Sequence, residues 1–581
     1  MAASAWKPDS LRWQMAEPYG RAAEIGRRFG AAPLLGHILH NRGIDDPDAA
    51  AAFLRPRPGE MHDPSLLGGA EDAARRLARA VADGRRIVVY GDYDVDGIAG
   101  VAILLTGLRL AGGQASYYVP HRLEEGYGVN EKAVEKLLAE GADVLVTVDC
   151  GISAAGPLAQ AQARGAEIIV TDHHGLPESL PPADVIVHPA LPEASYPNPD
   201  LAGAGVALKL AWQFAREVCG SRRVDPAWKA YLTDATCLAA LGTVADVVPL
   251  VGENRALAAF GLRGLPGSEH PGLKALLASA GLTGEKLDAY HIGFVLAPRL
   301  NACGRMGHAR LAVELLTDVA GPRAAKIADY LAKQNAERQR VEREIAQQAT
   351  TMVEQGGLAD DAHRAIVLAS DTWHSGVIGI VASRLVRRFH RPALLIAVNG
   401  RGAQGSGRSI RGFHMRDALA ACAEHLISFG GHAMAGGLRI EPERIPAFTE
   451  AMLAYAAENV TDEQLVPSLR IDAEATLRDL SFRTVSALAR LAPFGQGNPR
   501  PVVALRGCEV VVAPRRMGRN GATAGLVLGQ DGVTMRAVGF GMGALADRLA
   551  AHARVDVAGE PSLNTFRGET RVEFILRDVR A

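Results

Sequence analysis

The sequence has little of what secreted, membrane-spanning or nucleic-acid-coating proteins carry. Six of its 581 residues are cysteines and no two form a CxxC pair, which argues against a disulfide scaffold and a zinc ribbon. The N-terminus lacks the apolar core of a signal peptide, and no apolar run approaches the roughly 18 residues of a membrane span. We therefore expect a cytoplasmic protein that has no membrane partner.

The sequence also has no excess of positive or negative charge, since it contains 63 Lys and Arg and 64 Asp and Glu. This balance argues against a protein that coats nucleic acid indiscriminately, but it permits an enzyme whose positive charge is confined to a groove. With 48% hydrophobic and 22% charged residues, the chain has the composition of a globular protein. Its length predicts about three to five domains.

Alternating strands and helices begin near residue 70. Three β-branched runs are RIVVYG (86–91), VLVTVD (144–149) and EIIVTD (167–172), and helical stretches separate them. This spacing favours a parallel sheet with right-handed crossovers, and therefore an α/β fold.

The remaining segments define a domain prediction. We expect residues 1–66 to pack on the core, residues 67–322 to form the parallel-sheet domain, and residues 358–462 to form a second α/β domain. Residues 463–581 are rich in short strands and predict a β-barrel or sandwich.

A long helix is predicted for residues 323–357, where Gly and Pro are absent until Gly356. We expect it to be largely exposed and to join two domains, and a coiled-coil dimer arm is the alternative. The predicted apolar stripe consists of Ile327, Leu331, Val341, Ile345 and Met352.

The strongest chemical signal is VVYGDYDVDG (88–97), in which Asp92, Asp94 and Asp96 alternate between a strand and a helix. Carboxylates this close repel one another unless a cation neutralises them. The motif also matches the start of an EF-hand loop, but Ile103 stands where that loop needs a bidentate Glu. We therefore predict a metal site at the top of the parallel sheet, with a solvated acidic turn as the alternative.

Two other strand ends support this site. Asp149 ends one strand, and Asp172, His173 and His174 end another. In an open parallel sheet these ends share the edge where ligands bind. Oxygen ligands with one or two imidazoles suit Mn²⁺, Mg²⁺ or Fe²⁺.

These motifs resemble those of the DHH phosphoesterase superfamily, and within it the RecJ-type single-strand-specific exonucleases. GDYDVDGIAG, VTVDCGIS, VTDHHG and ALGTVADVVPL (240–250) are similar to its first four motifs. Further segments agree in order, including PHRLEEGYGVN (120–130), LAPRLNACGRMGHA (296–309), GSGRSIRGF (405–413), FGGHAMAGGL (429–438) and LAPFGQGNPRPV (491–502).

The resemblance implies a two-metal hydrolase that degrades single-stranded DNA from the 5′ end in recombination and repair. It implies two Mn²⁺ or Mg²⁺ ions, with Asp92 in or beside the coordination and His174 facing the phosphate. The implied metal ligands are Asp94, Asp96, Asp149, His173 and Asp246. Asp234 is a weaker ligand candidate than Asp246. The sequence contains neither a GxSxG nor a Walker A pattern, which agrees with hydrolysis by a metal-activated water.

The resemblance also implies substrate contacts and partners. Arg122, Ser406 and Arg408 would hold the 5′ end, while Arg305 and the Gly430–His432 turn would line the DNA path. His374, beside Trp373, corresponds to a substrate turn and is included among the catalytic residues. Packing roles are the alternatives for His432 and Trp373. The chain would act as a monomer, with a single-strand-binding protein and a helicase as partners.

A basic run supports nucleic-acid binding independently, because residues 384–416 contain no Asp or Glu. Its glycines would let backbone N–H groups approach a phosphate. Its eight arginines are Arg384, Arg387, Arg388, Arg391, Arg401, Arg408, Arg411 and Arg416.

The C-terminal barrel is similar to an OB-fold, which commonly binds single strands. Its candidate basic and stacking residues are Arg515, Arg516, Arg519, Arg536, Phe540 and Phe566. The alternatives are core positions for both phenylalanines and a barrel that only braces the rest.

Two other functions remain open. A DHH phosphodiesterase for short oligonucleotides or cyclic dinucleotides would be an enzyme of the same superfamily, although the trailing barrel favours a polymer substrate. A non-catalytic nucleic-acid scaffold would not explain the intact carboxylates.

Overall fold

The computed structural model describes residues 11–580 apart from positions 123, 124, 127, 193, 307, 308, 318, 320, 361, 401 and 519. The chain divides into two compact units. The parallel-sheet unit comprises Ala52–Arg338 and Leu491–Pro499. The second unit, named the two-sheet unit after its two larger sheets, comprises Met1–Ala51, Gln339–Arg490 and Arg500–Ala581. No described helix is both long and apolar enough to cross a bilayer.

The parallel-sheet unit is built on five strands that are all parallel, as predicted. In spatial order the strands are Gln114–Tyr118, Arg86–Gly91, Val144–Val148, Glu167–Thr171 and Val185–Val187. Alternate side chains enter two different cores, so that Val89 and Val146 pack on one face while Val88 and Leu145 pack on the other. Burial on both faces explains why these strands are continuous apolar runs.

Helices cover this sheet and extend the unit beyond it. The helical segments from the sheet region onward are Ala70–Ala82, Val95–Leu110, Glu131–Ala139, Ala155–Ala163, Gly203–Cys219, Pro226–Ala245, Gly252–Gly264, Leu265–Gly267, Pro271–Ser279, Ala289–His291, Ile292–Leu296, Ala297–Met306 and Arg310–Leu316. Two short 3₁₀ turns precede them at Pro58–Glu60 and Pro64–Leu66. Val95–Leu110 is buried almost throughout, which places its acidic first turn inside the unit.

The long helix spans Pro322–Gln355 and passes from one unit into the other. It is less exposed than predicted, because a stripe along its whole length is buried. That stripe consists of Ala324, Ile327, Ala328, Leu331, Asn335, Glu342, Ile345, Ala349 and Val353. Val341 is only half-buried and Met352 is exposed, because the register around Ile345 brings Glu342 and Ala349 to the buried face. A free coiled-coil arm is therefore excluded.

The first sheet of the two-sheet unit is mixed. Its strands, in spatial order, are Ser428–Gly431, Ala435–Ile440, Gly402–Arg408, Ala393–Asn399 and Ile366–Ser370. The helical segments around it are Ser375–Phe389, Met415–Ala421, Ala423–His425, Pro442–Arg444, Ile445–Asn459 and Asp462–Leu465. Along Gly402–Arg408 the odd-numbered residues enter the core, whereas Ser406 and Arg408 point to the opposite face.

The second sheet closes into the predicted C-terminal barrel, because Val503–Val510 pairs with both Arg554–Phe566 and Thr523–Gln530. Its strands in spatial order are Ala473–Ala475, Val503–Val510, Arg554–Phe566, Glu569–Arg580, Val533–Phe540, Thr523–Gln530 and Arg515–Met517. Two helices, Phe482–Ala489 and Leu545–Arg548, accompany it.

The N-terminal segment joins this same unit. Its helices are Ala22–Arg28, Pro33–His40 and Pro47–Leu54, the last of which crosses the unit boundary. The strand Arg12–Met15 pairs in parallel with Ser468–Ile471. Trp13 Nε1 donates to Asp578 Oδ2 at 2.7 Å, which ties the strand Arg12–Met15 to the strand Glu569–Arg580.

Candidate metal centre and nucleic-acid contacts

The first aspartate motif connects the strand Arg86–Gly91 to the helix Val95–Leu110. Asp94 caps that helix, since its Oδ1 accepts the N–H groups of Asp96 at 2.9 Å and Gly97 at 3.2 Å. Asp92 is 2% exposed, and its Oδ1 has no hydrogen-bond partner among the described residues. A buried oxygen of this kind is costly unless a bound group satisfies it.

Asp96 lies in the first turn of the same helix and is fully enclosed. Its carboxylate accepts the N–H groups of Gly203 at 2.6 Å and Ala204 at 2.9 Å, which begin the helix Gly203–Cys219. Gly242 leaves room for this carboxylate, because a Cβ there would lie 2.2 Å from Asp96 Oδ1. Helix N-termini favour negative charge, so this one fixes Asp96 in place.

Asp149 follows the strand Val144–Val148 with a φ of 61°, a conformation that non-glycine residues rarely adopt. Its side chain is 3% exposed. A Cβ at Gly203 would lie 2.7 Å from that of Asp149, so only glycine fits beside it. Backbone strain held by tight surroundings is typical of functional positions.

The third motif presents two histidines that have different roles. His174 Nδ1 donates to Asp172 Oδ1 at 2.7 Å, and the buried Asp172 also accepts from Ile152 N–H at 2.9 Å. His173 Nε2 instead lies among carboxylates, 3.1 Å from Asp149 Oδ1 and 3.7 Å from Asp96 Oδ2. Asp172 therefore orients His174, while His173 points into the acidic cluster.

Asp246 completes the cluster from the end of the helix Pro226–Ala245. Its Oδ2 lies 3.6 Å from His173 Nε2, and its side chain is 27% exposed. Three overlapping sets have ligand atoms within 4.8 Å of one another: Asp149–His173–His174, Asp96–His173–Asp246 and Asp92–Asp94–Asp149. Asp234 is in none of these sets, and its Oδ1 accepts from Ser268 Oγ at 2.8 Å.

Burial and mutual repulsion shift the pKa values of this cluster. Burial and the charge of Asp94 raise the pKa of Asp92 to about 8 and that of Asp246 to about 7. Burial also raises the pKa of Asp96 and Asp149 well above their usual range. Without a cation, these carboxyls therefore hold protons that they would release in water.

The two histidine pKa values move in opposite directions. Burial, followed by the charge of His174, lowers the pKa of His173 to about 4, so His173 is neutral and suited to coordinate a metal. Burial opposes a charge on His174, but the hydrogen bond to Asp172 and the nearby carboxylates outweigh it and raise its pKa to about 9. At neutral pH, His174 is therefore a cation.

We expect the metal-free protein to lose stability as the pH rises from about 6.5 to 8. Asp92 has a pKa near 8 in the folded protein but about 3.9 when unfolded, so across this window the folded chain binds more protons. The free energy of unfolding then falls by about 1.4 kcal/mol per pH unit for each excess proton. The contribution of His174 to this pH dependence has the same sign in this window, because the pKa of His174 in the folded protein is also raised.

Urea unfolding in EDTA at several pH values measures this dependence. Asp92→Asn and saturating Mn²⁺ should each reduce the dependence by removing the carboxyl contribution, while the contribution of His174 remains. A stability that is constant or increases from pH 6.5 to 8 would contradict the assigned protonation states.

The donor set fits divalent metal ions that prefer oxygen. Five aspartates and two imidazoles converge at the carboxyl edge of the sheet, a set that suits Mn²⁺ or Mg²⁺. The unpartnered Asp92 Oδ1 and the raised carboxyl pKa values both show that the ionised carboxylates lack sufficient compensating positive charge among the described residues, which a bound cation would supply.

Two predicted DNA-contact residues, Arg122 and Arg305, lie near Tyr93, which belongs to the first aspartate motif. The Arg122 guanidinium is 4.7 Å from the centre of the Tyr93 ring. Burial raises the pKa of Tyr93 to about 12, and the charges of Arg122 and Arg305 both act against that rise. Both arginines therefore place positive charge beside the acidic cluster.

The other predicted contacts lie in the two-sheet unit. Arg408 Nη1 donates to Ser406 Oγ at 3.2 Å and to Gly407 O at 2.7 Å. A Cβ at Gly379, in the first turns of the helix Ser375–Phe389, would lie 2.7 Å from Ser406 Oγ. Ser406 and Arg408 therefore face a helix N-terminus, an arrangement suited to an anion.

His374 and His432 belong to this same sheet region. His374 caps the helix Ser375–Phe389, because its Nδ1 accepts the N–H of Gly376 at 3.1 Å. His432 is exposed in the turn between two strands, and its N–H donates to Ala435 O at 2.8 Å. Trp373 is 5% exposed and donates to Gln348 at 2.9 Å, which supports the anchoring alternative for it.

The arginine run does not form a single basic surface. Arg384 pairs with Glu342 at 2.5 Å and Arg388 pairs with Glu354 at 2.6 Å. Arg391 is 8% exposed and donates to backbone carbonyls. Arg384 and Arg391 are thus engaged within the fold, which corrects their predicted place in a nucleic-acid groove, while the charge of the more exposed Arg388 is partly neutralised by Glu354. Arg401 lies outside the described residues.

The barrel exposes both of its candidate stacking residues. Phe540 is 66% exposed and Phe566 is 69% exposed, so neither occupies the core. Arg516 pairs with Asp547, and Arg536 with Glu573 at 3.0 Å. Their charge is thus partly neutralised locally. Arg519 lies outside the described residues.

Three residues that shape the site were not singled out as site residues from the sequence. Asn301 Oδ1 accepts the N–H of Val95 at 3.1 Å and so holds the first motif. Gly203 and Ala204 bind Asp96 through their backbone. The LAGAGVA run (201–207) is a recognisable glycine-rich helix start, but its partner is distant in sequence.

Family profiles match three parts of the chain. The profile described as "DHH family, N-terminal domain" covers residues 86–240. The profile "DHHA1 domain" covers residues 362–458, and "RecJ OB domain" covers residues 471–578. The three matches correspond to the parallel sheet, the mixed sheet and the barrel.

Relatives match along nearly the whole chain. The single-stranded-DNA-specific exonuclease RecJ of Bacillus subtilis is 34% identical over 571 residues, or 98% of this chain and 70% of that protein. The one from Thermus thermophilus is 37% identical over 544 residues, or 92% and 75% of the two chains. The crystal structure of RecJ from Thermus thermophilus in complex with Mn²⁺ has a TM-score of 0.83 at 33% identity, covering 99% of this chain and 80% of that one.

Proposed function

Because the chain belongs to the RecJ family of single-stranded-DNA-specific exonucleases, we infer that it is a metal-dependent exonuclease acting on single-stranded DNA. The observation that carries this function is the convergence of five aspartates and two histidines at one sheet edge. The test compares digestion of a single strand and of the matching blunt duplex with Mn²⁺, using EDTA as the control. Rapid loss of the single strand alone is expected, and equal digestion of the duplex would contradict the inference.

We propose that Asp94, Asp96, Asp149, His173 and Asp246 hold two Mn²⁺ or Mg²⁺ ions, with Asp92 in or beside the coordination. When bound, such ions supply Lewis-acid stabilisation of a phosphate and acidify a coordinated water. The chain's own contribution is to fix the carboxylates before metal arrives. It does so through the helix N-terminus on Asp96 and the glycines beside Asp96 and Asp149.

His174 is proposed to contact the scissile phosphate. Its raised pKa keeps it protonated at neutral pH, with Nδ1 hydrogen-bonded to Asp172, so the ring carries a positive charge. A cationic donor binds a phosphate oxygen more strongly than a neutral one does.

In the two-sheet unit, Ser406 and Arg408 are proposed to hold the 5′ end, His374 to be a catalytic residue, and His432 to contact the strand. Arg122 and Arg305 are proposed to contact DNA in the parallel-sheet unit. Arg408 is proposed to bind the phosphate of the 5′ end, because a guanidinium can bind two phosphate oxygens at once. These roles imply degradation from 5′ to 3′, and recombination and repair as the cellular setting.

The barrel is proposed to bind the strand through base stacking. Replacing both Phe540 and Phe566 with alanine should weaken binding to long strands by about tenfold or more, since stacking contributes about 1–3 kcal/mol per base. Fluorescence anisotropy on long and short oligonucleotides measures this effect.

Phe482→Ala is the matched control, because Phe482 is also exposed, at 55%, in the same unit. The control should bind like the wild type. A double variant that also retains wild-type affinity would leave the barrel with a bracing role only.

The polymer substrate is favoured over short oligonucleotides or cyclic dinucleotides because the chain carries the RecJ OB barrel beside the nuclease fold. A monomeric state, a cytoplasmic location, and a single-strand-binding protein and a helicase as partners stay predictions from the sequence.

A further inference from the structure

A short segment of the chain returns to the metal-binding unit from a distant position. Leu491–Pro499 belongs to the parallel-sheet unit, although the residues on both sides of it belong to the two-sheet unit. The buried Arg255 fixes its backbone by donating to Leu491 O at 2.6 Å and Ala492 O at 2.8 Å. Asn498, which is 0% exposed, donates to Leu491 O at 2.8 Å. The segment is thus a rigid part of this unit.

The segment packs on the loop of residues 247–251, which follows Asp246 directly. Leu250 N–H donates to Gln496 O at 2.7 Å. A Cβ at Gly495 would lie 2.7 Å from Leu250 Cδ1, and one at Gly497 would lie 3.2 Å from Pro249 Cβ. The two glycines therefore let the segment approach the loop closely.

This loop needs external support. Asp246 directly follows the helix Pro226–Ala245 as its C-cap, and Val247 has a φ of 64° and is 63% exposed. A β-branched residue in this conformation is strained and persists only where its surroundings hold it. Asp246 is also more exposed, at 27%, than Asp96 at 1% or Asp149 at 3%.

We propose that Leu491–Pro499 is a positioning element for Asp246, which holds the loop so that this carboxylate stays in the metal cluster. The proposal rests on the metal assignment of Asp246 made above. Arg255 and Asn498 hold the backbone of the segment, and the segment in turn holds the loop through its hydrogen bond with Leu250. Residues behind metal ligands typically change metal affinity by about 10–100-fold, so the element should influence metal binding more than folding.

Gly497→Ala tests this role, with Gly281→Ala as the matched control. Both glycines have positive φ, 71° and 69°, so both variants carry the same backbone strain. Gly281 lies in the same unit, and no described atom beyond its chain neighbours would come within 4 Å of its Cβ. The full-length metal-free proteins are titrated with Mn²⁺ by calorimetry, and their melting temperatures are measured in EDTA.

We expect Gly497→Ala to bind Mn²⁺ about tenfold more weakly than Gly281→Ala, with similar melting temperatures. Saturating Mn²⁺ should restore its cleavage rate. Equal Mn²⁺ affinity of the two variants would overturn the proposal. If Gly497→Ala does not fold, the Mn²⁺ affinity of Gly495→Ala is measured in its place. The φ of Gly495 is not positive, and a Cβ there would displace only the Leu250 side chain.

Asp246→Asn separates this inference from the metal assignment. If Asp246→Asn leaves Mn²⁺ affinity unchanged, the assignment itself fails. If it weakens binding while Gly497→Ala matches its control, the positioning role alone fails.

Discussion

Asp149→Asn is expected to abolish DNA hydrolysis, with a loss of at least about 1,000-fold, while the fold is retained. Bound metal contributes several kcal/mol to such reactions, and each 1.36 kcal/mol corresponds to about tenfold in rate. Asparagine is the appropriate replacement, because Asp149 has a φ of 61° and Asn tolerates that conformation better than Ala. Rates at saturating Mn²⁺ measure the effect.

The same variant should raise the melting temperature in EDTA at neutral pH, because asparagine is neutral without the proton that the buried Asp149 carboxyl must take up on folding. Asp234→Asn is the matched control, since it also removes one aspartate from the same unit but lies outside the acidic cluster. It should retain wild-type activity. An active Asp149→Asn enzyme would refute the assignment of this residue to the metal site.

Arg408→Ala should slow degradation of 5′-phosphorylated strands by about 10–100-fold, because a hydrogen bond to a charged group contributes about 1.5–3 kcal/mol. Strands with a 5′ hydroxyl should be affected far less. The bonds to Ser406 and Gly407 hold the guanidinium in place before substrate binds. The rate of Arg408→Lys on 5′-phosphorylated strands should fall between those of the wild type and Arg408→Ala, since lysine keeps the charge but lacks the planar guanidinium.

Arg416→Ala is the control for this prediction, because Arg416 is an exposed member of the same arginine run. It should leave the preference for a 5′ phosphate unchanged. If Arg408→Ala slows both substrates equally, Arg408 contacts the backbone generally and does not recognise the end.

The sequence predicted the part of the site that follows from strand order. Asp92, Asp149 and Asp172 each follow a strand of one parallel sheet, so their convergence at one edge is dictated by topology. Asp246 ends a helix far along the chain. No periodicity reveals that position, and only the motif resemblance pointed to it.

Long-range partners explain what local patterns missed. The arginine run resembled a basic surface, but Glu342 and Glu354, which pair with Arg384 and Arg388, lie on the long helix 42 and 34 residues earlier. The return of Leu491–Pro499 to the parallel-sheet unit could not be seen from its sequence, because the contact partner is the loop that follows Asp246.

Cleavage polarity tests the central claim most directly. A linear single strand is labelled at its 5′ end in one sample and at its 3′ end in another, and both are digested with Mn²⁺ beside a circular single strand. We expect the 5′ label to be released at once in the shortest products, the 3′ label to stay in progressively shorter fragments, and the circle to survive. Early release of the 3′ label, or digestion of the circle at the same rate, would contradict this claim.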